Sequence, residues 1–252
     1  MKGHVVVIAP YAPMHGEPRV SAPQISQALG GRALAVLESR DDWHRVRGAD
    51  EYEGWIHAGY LAPVAEPPRE ESILTSLGCH VRSAGGKRRH LPPGALLLPD
   101  DIVESGTALA PDALRRAHPR DPAAAARTAM KIFEGTPDLW GGVTPWGVDC
   151  SGLVQTAFLI LGIVLTRDAW QQAGAGEDAG DDPLALRPGD LLFFSDRADR
   201  RITHVGIAAG DRTMVHSALG RGGFAMEKLD DMEDLYVEKL RSRYVGARRV
   251  RA

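Results

Sequence analysis

The chain has 252 residues, of which 44% are hydrophobic and 25% are charged, a composition typical of globular proteins. This length allows one large domain or two to three small ones. The net charge of −3 creates no field that would attract nucleic acid or an acidic membrane, so we expect neither as a partner.

The first apolar run, Val5–Ala9, is short and is followed by a proline. A signal peptide needs a longer apolar core and a cleavage site of small residues. No window approaches the ~18 apolar residues of a membrane-spanning helix. The sequence therefore predicts a cytoplasmic protein.

The chain contains two cysteines, Cys79 and Cys150, which could form at most one disulfide. Their sequence contexts differ, so a structural disulfide framework is not expected. Cys79, His80 and His90 lack the spacing of metal ligands. We therefore expect no metal site and no cofactor.

Residues 1–64 are predicted to form short strands joined by turns. Pro10, Pro13, Gly16 and Pro18 indicate a loop after the first strand. Strands of this length at this spacing favour a small β-barrel. The predicted strands are Val5–Ala9, Ala33–Glu38, Trp43–Arg47, Tyr52–Ile56 and Tyr60–Leu61.

Residues 65–118 carry a weaker pattern. Prolines at the start of this stretch indicate a linker, and a few strands are expected within residues 73–81 and 91–98. A second, degenerate barrel is one interpretation of residues 65–118.

Residues 119–252 begin with helices and continue with an antiparallel sheet, which is an α+β pattern. Asp121 is predicted to cap the first helix, which Gly135 ends. Asp149 is predicted to cap a second helix, which Gly162 ends. The predicted strands are Leu191–Ser195, His204–Ala209 and Thr213–Ser217.

Cys150 lies in the first turn of the second helix, where the positive end of the helix dipole favours a thiolate over a thiol. An isolated cysteine more commonly packs as a small buried hydrophobe, so local chemistry leaves both interpretations open. A cysteine protease also needs an imidazole base and a third group that orients it. His204 and His216, on successive strands, provide these groups. In combination the three residues predict a catalytic set.

From residue 138 to about residue 216 the chain resembles the NlpC/P60 family of papain-like cell-wall peptidases. Ordered motifs over this length are far more specific than a lone cysteine and histidine. The motifs that carry the resemblance are Leu139–Gly142, Gly147–Val154, Arg167–Ala169, Pro188–Phe194 and His204–Ile207, with His216 at the family's third polar position.

The N-terminal part resembles a bacterial SH3-type domain. Its matching features are Leu29–Gly31, Asp42–Trp43, Tyr52–Ile56 and Tyr60–Leu61. The two resemblances together imply a papain-like NlpC/P60 catalytic domain in residues 119–252, preceded by one or two small SH3-like β-barrels.

This combination resembles the γ-D-glutamyl-L-diamino acid endopeptidases that recycle murein peptides. The resemblance implies that Cys150 attacks the γ-glutamyl carbonyl, that His204 transfers the proton, and that His216 orients His204. A thiolate–imidazolium pair at rest is expected, because cysteines paired with histidine have pKa values of ~3–7. The Cys150 backbone amide is the expected oxyanion donor.

The resemblance also implies a set of substrate-binding residues. Tyr52 and Glu17 of the first barrel are candidates to bind a free N-terminal L-alanine, because an ammonium group needs acceptors and negative charge. Packing of Tyr52 in a strand and solvation of Glu17 are the simpler alternatives. The other candidates are Asp149, Ser151, Trp140, Arg167 and Asp168.

Two positions depart from the family pattern. Asp138 stands where the family usually has a tyrosine opposite the cysteine, so it points away, stays protonated, or signals altered specificity or lower activity. Pro23 stands where relatives often have an acidic residue. Two further functions therefore remain open, a thiol amidase or acyltransferase on another γ-glutamyl or acyl substrate, and a non-catalytic binder of cell-wall peptides.

Overall fold

The computed structural model describes residues 3–69 and 73–251 of the chain, which divides into two compact units, residues 1–117 and 118–252. None of the helices in the described ranges is long and apolar enough to cross a bilayer. The elements of the first unit are β1 (Gly3–Val7), β2 (Tyr11–His15), β3 (Gln24–Leu29), β4 (Ala33–Arg40), β5 (Trp43–Arg47), β6 (Glu53–His57), β7 (Leu61–Val64), β8 (Thr75–Arg82), β9 (Arg88–Leu91), β10 (Ile102–Leu109) and α1 (Pro111–Ala117). Those of the second unit are α2 (Ala125–Phe133), β11 (Val143–Thr144), β12 (Gly147–Val148), α3 (Cys150–Ile160), α4 (Ala169–Gln172), β13 (Glu177–Asp178), β14 (Leu191–Phe194), β15 (His204–Gly210), β16 (Thr213–Ala218), β17 (Gly223–Lys228), α5 (Leu235–Ser242) and β18 (Tyr244–Arg249).

The first sheet of the first unit is antiparallel, with the strand order β3-β2-β6-β5-β4-β1-β7. Val5 and Val7 of β1 lie on the same face, because successive side chains of a strand alternate between faces. They share a core with Met14, Val46 and Ile56 of other strands. The strands predicted in residues 1–64 are confirmed, with bounds shifted by a few residues.

The loop predicted from the prolines after β1 is wrong for much of that stretch, which contains β2 and β3. β2 pairs along its length with β3, where Pro13 lies opposite Gln27. Its described pairing with β6 is limited to His15 and Trp55. Proline has no backbone N–H, so it is tolerated in a strand that is not hydrogen-bonded on both sides throughout. Pro13 therefore does not exclude a strand here.

A further sheet of the first unit has the order β10-β8-β9. Cys79 in β8 is a fully buried free thiol. The ring of His80 stacks on that of His90 in β9, with 4.2 Å between the ring centroids. The strand expected within residues 73–81 is confirmed as β8. The strand expected within residues 91–98 is wrong, because β9 ends at Leu91 and a turn at Pro93 and Gly94 follows it. β10 and α1 were not predicted. A second SH3-like barrel in residues 65–118 stays a prediction.

The second unit contains an antiparallel sheet with the order β13-β18-β14-β15-β16-β17. The helices α2 and α3 share its core, in which Phe133, Leu153 and Phe158 join Val205 and Val215 of the sheet. This arrangement confirms the α+β fold class. The elements β17, α5 and β18 were not predicted from the sequence.

α3 begins and ends where the sequence predicts. The Asp149 carboxylate accepts a hydrogen bond at 2.7 Å from the Gly152 backbone N–H, which satisfies one of the unpaired amides of the first turn. The helix ends before Gly162, which has the left-handed φ of 76° that glycine adopts easily. Cys150 is therefore the first residue of a capped helix.

Two glycines hold the loop 139–142 against the start of α3. A Cβ added at Gly152 would lie 2.1 Å from the carbonyl oxygen of Gly142, and one added at Gly142 would lie 2.3 Å from that of Gly147. Neither approach is possible for a residue with a side chain. The Asp149 backbone N–H also donates to the Gly142 carbonyl oxygen at 3.2 Å. These contacts set the loop directly beside the cysteine.

Candidate active site

The packing of α3 on the sheet brings Cys150 to the start of β15. Cys150 is partly buried and packs against the core shared by α3 and the sheet. The backbone N–H of Val205 donates a hydrogen bond to the Cys150 sulfur. His204 is the neighbour of Val205 and the first residue of β15. The cysteine predicted as a nucleophile and the histidine predicted as its base are thus close neighbours.

The two histidines of the predicted set are hydrogen-bonded to each other. His204 Nε2 lies 2.7 Å from His216 Nδ1, and the ring planes meet at 75°. His216 is fully buried, whereas His204 is partly exposed. The structure therefore hydrogen-bonds His204 to His216 and places the Cys150 sulfur against the backbone of Val205, the residue after His204.

Burial favours the neutral forms of the Cys150 and His204 side chains. It raises the pKa of the Cys150 thiol to about 12, and the nearby Asp149 carboxylate adds to this rise. It lowers the pKa of His204 to about 3, and His216 adds to this fall. Loss of hydration disfavours a charged group in either case. These directions oppose the thiolate–imidazolium pair expected from the sequence and favour a neutral thiol beside a neutral imidazole.

Alkylation of Cys150 by iodoacetamide is expected to accelerate about tenfold per pH unit between pH 6 and pH 9. Below its pKa a thiol is mostly protonated, so each unit of pH raises the thiolate fraction by that factor when the pKa is about 12. The rate is measured by mass spectrometry of the Cys150 peptide. A plateau in the rate from pH 5 to pH 8 would show a resting thiolate and contradict this expectation.

Asp149, the residue before Cys150, forms a buried ion pair with Arg167. Arg167 donates to Asp149 at 2.6 Å and 3.0 Å and to the Ser151 hydroxyl at 2.8 Å. The Asp149 carboxylate also accepts from the Gly141 backbone N–H at 2.8 Å. Arg167 is 1% exposed, so these contacts replace the hydrogen bonds that its guanidinium group would form with water. The charged groups of Asp149 and Arg167 thus bind each other and hold the loop 139–142 to α3.

The remaining substrate-binding candidates of the second unit lie outside this ion pair. Asp168 is the N-cap of α4 and forms a capping box with Gln171. Trp140, in the loop 139–142, is 73% exposed. Contact of Asp149, Ser151, Trp140, Arg167 and Asp168 with a substrate stays a prediction.

The candidates of the first unit have local contacts of their own. Tyr52 packs against the core of the first sheet, as the simpler alternative predicts. Glu17 forms an exposed ion pair with Arg19 at 3.1 Å, which lowers the pKa of Glu17 through the hydrogen bond and the charge of Arg19. A role for either residue in binding an N-terminal ammonium stays a prediction.

The environment of Asp138 favours its protonated form. The Ser217 hydroxyl lies 2.7 Å from the Val148 carbonyl oxygen and 3.2 Å from Asp138 Oδ1. This hydroxyl can donate to either oxygen. Burial raises the pKa of Asp138, and the Asp149 charge raises it further, against the effect of Ser217. Of the three alternatives for Asp138, the direction of this pKa shift agrees with the protonated one.

The sequence did not single out the glutamate next to His216. Glu227 of β17 is 4% exposed, and its Oε1 lies 3.3 Å from His216 Nε2. Arg221 donates to both oxygens of Glu227, at 2.8 Å and 2.9 Å. A glutamate in a strand belongs to no motif. Its low exposure is the signal that marks it, and that signal requires the fold. In the described ranges, no group of three or more metal-ligating side chains is present.

Comparison with known proteins is consistent with this geometry. Residues 135–249 match the NlpC/P60 family, and residues 14–61 match the bacterial dipeptidyl-peptidase Sh3 domain. A γ-D-glutamyl-L-lysine dipeptidyl-peptidase of Bacillus cereus is 27% identical over 260 residues, which cover 89% of this chain and 74% of that protein. Dipeptidyl-peptidase 6 of Lysinibacillus sphaericus is 27% identical over 270 residues, which cover 94% of this chain and 96% of that protein.

A solved structure extends the likeness to the whole fold. The crystal structure of an NlpC/P60 family protein from Bacillus cereus has a TM-score of 0.74 at 20% identity and covers 98% of this chain and 99% of its own. The family matches and this fold agree with the resemblances found in the sequence. The chain therefore contains an NlpC/P60 domain at residues 135–249, preceded by a bacterial SH3 domain at residues 14–61.

Proposed function

We propose that this protein is a cysteine peptidase that hydrolyses the bond between γ-D-glutamate and the diamino acid of murein peptides. The observation that carries the proposal is the chain of contacts from Cys150 past Val205 to His204 and His216. Relatives named γ-D-glutamyl-L-lysine dipeptidyl-peptidase support the substrate class. A role in peptidoglycan recycling in the cytoplasm stays a prediction.

The proposed reaction begins with attack of the Cys150 sulfur on the γ-glutamyl carbonyl carbon. The thiol proton passes to His204 as the carbon–sulfur bond forms, and the attraction between the new opposite charges offsets part of the burial cost. Cys150 is the first residue of α3, so its backbone N–H lacks an acceptor within the helix and can bind the developing oxyanion.

The intermediate then breaks down in two steps. His204 returns its proton to the amine nitrogen of the diamino acid as the carbon–nitrogen bond breaks, which leaves a thioester on Cys150. A water molecule attacks the thioester while His204 accepts its proton. The carbon–sulfur bond breaks, the proton returns to the sulfur, and the γ-D-glutamyl product leaves as a carboxylic acid.

We also propose that the substrate has a free N-terminal L-alanine. The name dipeptidyl-peptidase of two relatives describes release of a dipeptide, which requires recognition of the free end. Tyr52 and Glu17 provide a hydroxyl group and a carboxylate of the types that bind ammonium. Asp149, Ser151, Arg167, Asp168 and Trp140 are the proposed contacts on the peptidase domain.

Release of the diamino acid from L-Ala-γ-D-Glu-L-Lys and L-Ala-γ-D-Glu-meso-diaminopimelate tests the proposal, with products followed by chromatography and mass spectrometry. We expect cleavage of the γ-linked tripeptides and none of the α-linked isomer. The N-acetylated tripeptides should react at least about tenfold more slowly, because they lack the ammonium group. Absence of cleavage of every γ-linked peptide would contradict the proposed activity.

Asp138 favours a second candidate, a thiol amidase or acyltransferase that accepts another γ-glutamyl or acyl compound. A partly buried acidic group in place of a phenol changes the polarity of the site, and burial raises the pKa of this Asp138 carboxyl group. A preference for blocked or non-murein γ-glutamyl amides in the same assay would support this candidate over the first.

A further inference from the structure

The chain of hydrogen bonds through the two histidines does not end at His216. Its second ring nitrogen, Nε2, faces Glu227 Oε1 at 3.3 Å. Glu227 is 4% exposed, and neither the proposed reaction nor the substrate contacts use it. A buried carboxylate at the end of a catalytic chain of hydrogen bonds requires an explanation.

Glu227 is held in its ionised form. Burial alone would raise its pKa, but hydrogen bonds from His216 and Arg221 outweigh burial and lower the pKa. The Arg221 guanidinium binds both carboxylate oxygens and also pairs with Asp234. An ionised carboxylate has no proton to give and can only accept hydrogen bonds.

This acceptor determines which nitrogen of each histidine carries a proton. Because Glu227 only accepts, the proton on His216 must be at Nε2, which leaves a lone pair at Nδ1. That lone pair faces His204 Nε2 at 2.7 Å, so the proton of His204 must be at Nε2. The Nδ1 lone pair of His204 is then available as the base.

We propose that Glu227 is a positioning residue that sets the tautomers of both histidines and stabilises the positive charge formed when His204 takes the thiol proton. The inference rests on the proposed peptidase function. It extends the predicted Cys150, His204 and His216 set by one buried charge. Arg221 in turn fixes the carboxylate in place.

The other charged and titratable groups around His216 do not provide an alternative acceptor for its Nε2 atom. His204 faces Nδ1 from β15, and the Tyr236 ring of α5 lies 6.2 Å away between centroids. The Arg221 side chain lies over the Tyr236 ring at 4.3 Å and is itself only a donor. Among the described contacts of His216, the negative charge comes from Glu227.

Glu227→Gln tests the proposal, because glutamine keeps the size of the side chain and removes its charge. Its amide can donate to His216 Nε2, which would reverse both tautomers. We expect kcat for L-Ala-γ-D-Glu-L-Lys to fall about 100-fold, less than the ~10⁴-fold typical of a group that contacts the catalytic base directly. The acidic limb of the kcat/KM profile should move about one unit lower in pH, since loss of a nearby negative charge lowers an imidazole pKa.

Two further variants separate positioning from a structural effect. Glu227→Asp keeps the charge and should retain more kcat than Glu227→Gln. Asp234→Asn removes the other carboxylate on Arg221 but keeps an N-cap for α5, so its kcat should stay within about threefold of the wild type. Equal losses of kcat in Glu227→Gln and Asp234→Asn, with unchanged pH profiles, would overturn the proposal.

Ring-nitrogen correlation spectra of the ¹⁵N-histidine protein test the tautomers without any substrate. We expect His204 and His216 to carry protons at Nε2 near neutral pH in the wild type, with assignment from single histidine variants. A proton at Nδ1 of His216 in the wild type would overturn the inference. If the wild type cleaved no γ-glutamyl peptide, the proposed function would fail, whereas these spectra would still decide the role of Glu227.

Discussion

Replacing Cys150 with alanine is expected to reduce hydrolysis of L-Ala-γ-D-Glu-L-Lys by about 10⁴-fold or more. Removal of a nucleophile from a comparable catalytic set has an effect of up to about 10⁶ in kcat, because the remaining residues cannot form the covalent intermediate. The side chain is partly exposed at a helix start, so the smaller residue leaves little unfilled space. The measurement is the initial rate of lysine release at saturating substrate.

Cys79→Ala is the matched control for this variant. Cys79 is the other free cysteine, it is fully buried in β8, and it belongs to the first unit. Its replacement removes a thiol of the same size and should leave kcat within about threefold of the wild type. A Cys150→Ala protein that still releases lysine at the wild-type rate would rule out the proposed nucleophile.

Replacing Arg167 with methionine is expected to lower the free energy of unfolding of the second unit by about 3–5 kcal/mol. Methionine keeps the apolar stem but removes the guanidinium, which leaves the Asp149 carboxylate buried beside Cys150 without its counter-charge. Arg167 is 1% exposed and donates to both Asp149 and Ser151. Urea denaturation measures the loss, and hydrogen exchange at the α3 amides assigns it to the second unit.

The control is Arg197→Met, which removes a surface ion pair of similar chemistry. Arg197 and Asp199 are each 55% exposed and lie 3.0 Å apart, and such surface pairs contribute little to stability because water screens the charges. The double variant Arg167→Met with Asp149→Asn should recover part of the loss, because asparagine caps α3 without a buried charge. Equal losses in Arg167→Met and Arg197→Met would contradict a buried ion pair.

The local structure around Cys150 could be predicted because it depends on neighbours in sequence. Asp149 is a good N-cap and Gly162 a good helix end whatever surrounds them, so the bounds of α3 followed from residue types. The strand that begins at His204 was likewise predicted from a short apolar run. The prolines near Pro13 misled the same reasoning, since they indicate a loop unless the pairing of the strand is known.

Protonation could not be predicted in the same way. The first-turn position of Cys150 favours a thiolate, whereas burial around Cys150 and His204 favours the neutral pair. The loss of hydration depends on which chain segments cover a group, and this is decided by packing. Asp138 follows the same rule, because its contact with Ser217 joins residues far apart in the sequence.

The α+β class, the capped helix that begins at Cys150 and the resemblance that predicts the two histidines could all be inferred from the order of residues. These features depend on local propensity and on ordered motifs. The ion pair of Asp149 with Arg167 and the contact of Glu227 with His216 became visible only in the folded chain. β16 and β17 must pair in register before His216 and Glu227 can meet, and β17 had no distinctive pattern in the sequence. The residues that meet across two strands depend on the register of their pairing. The contact between His216 and Glu227 could therefore be recognised only from the fold.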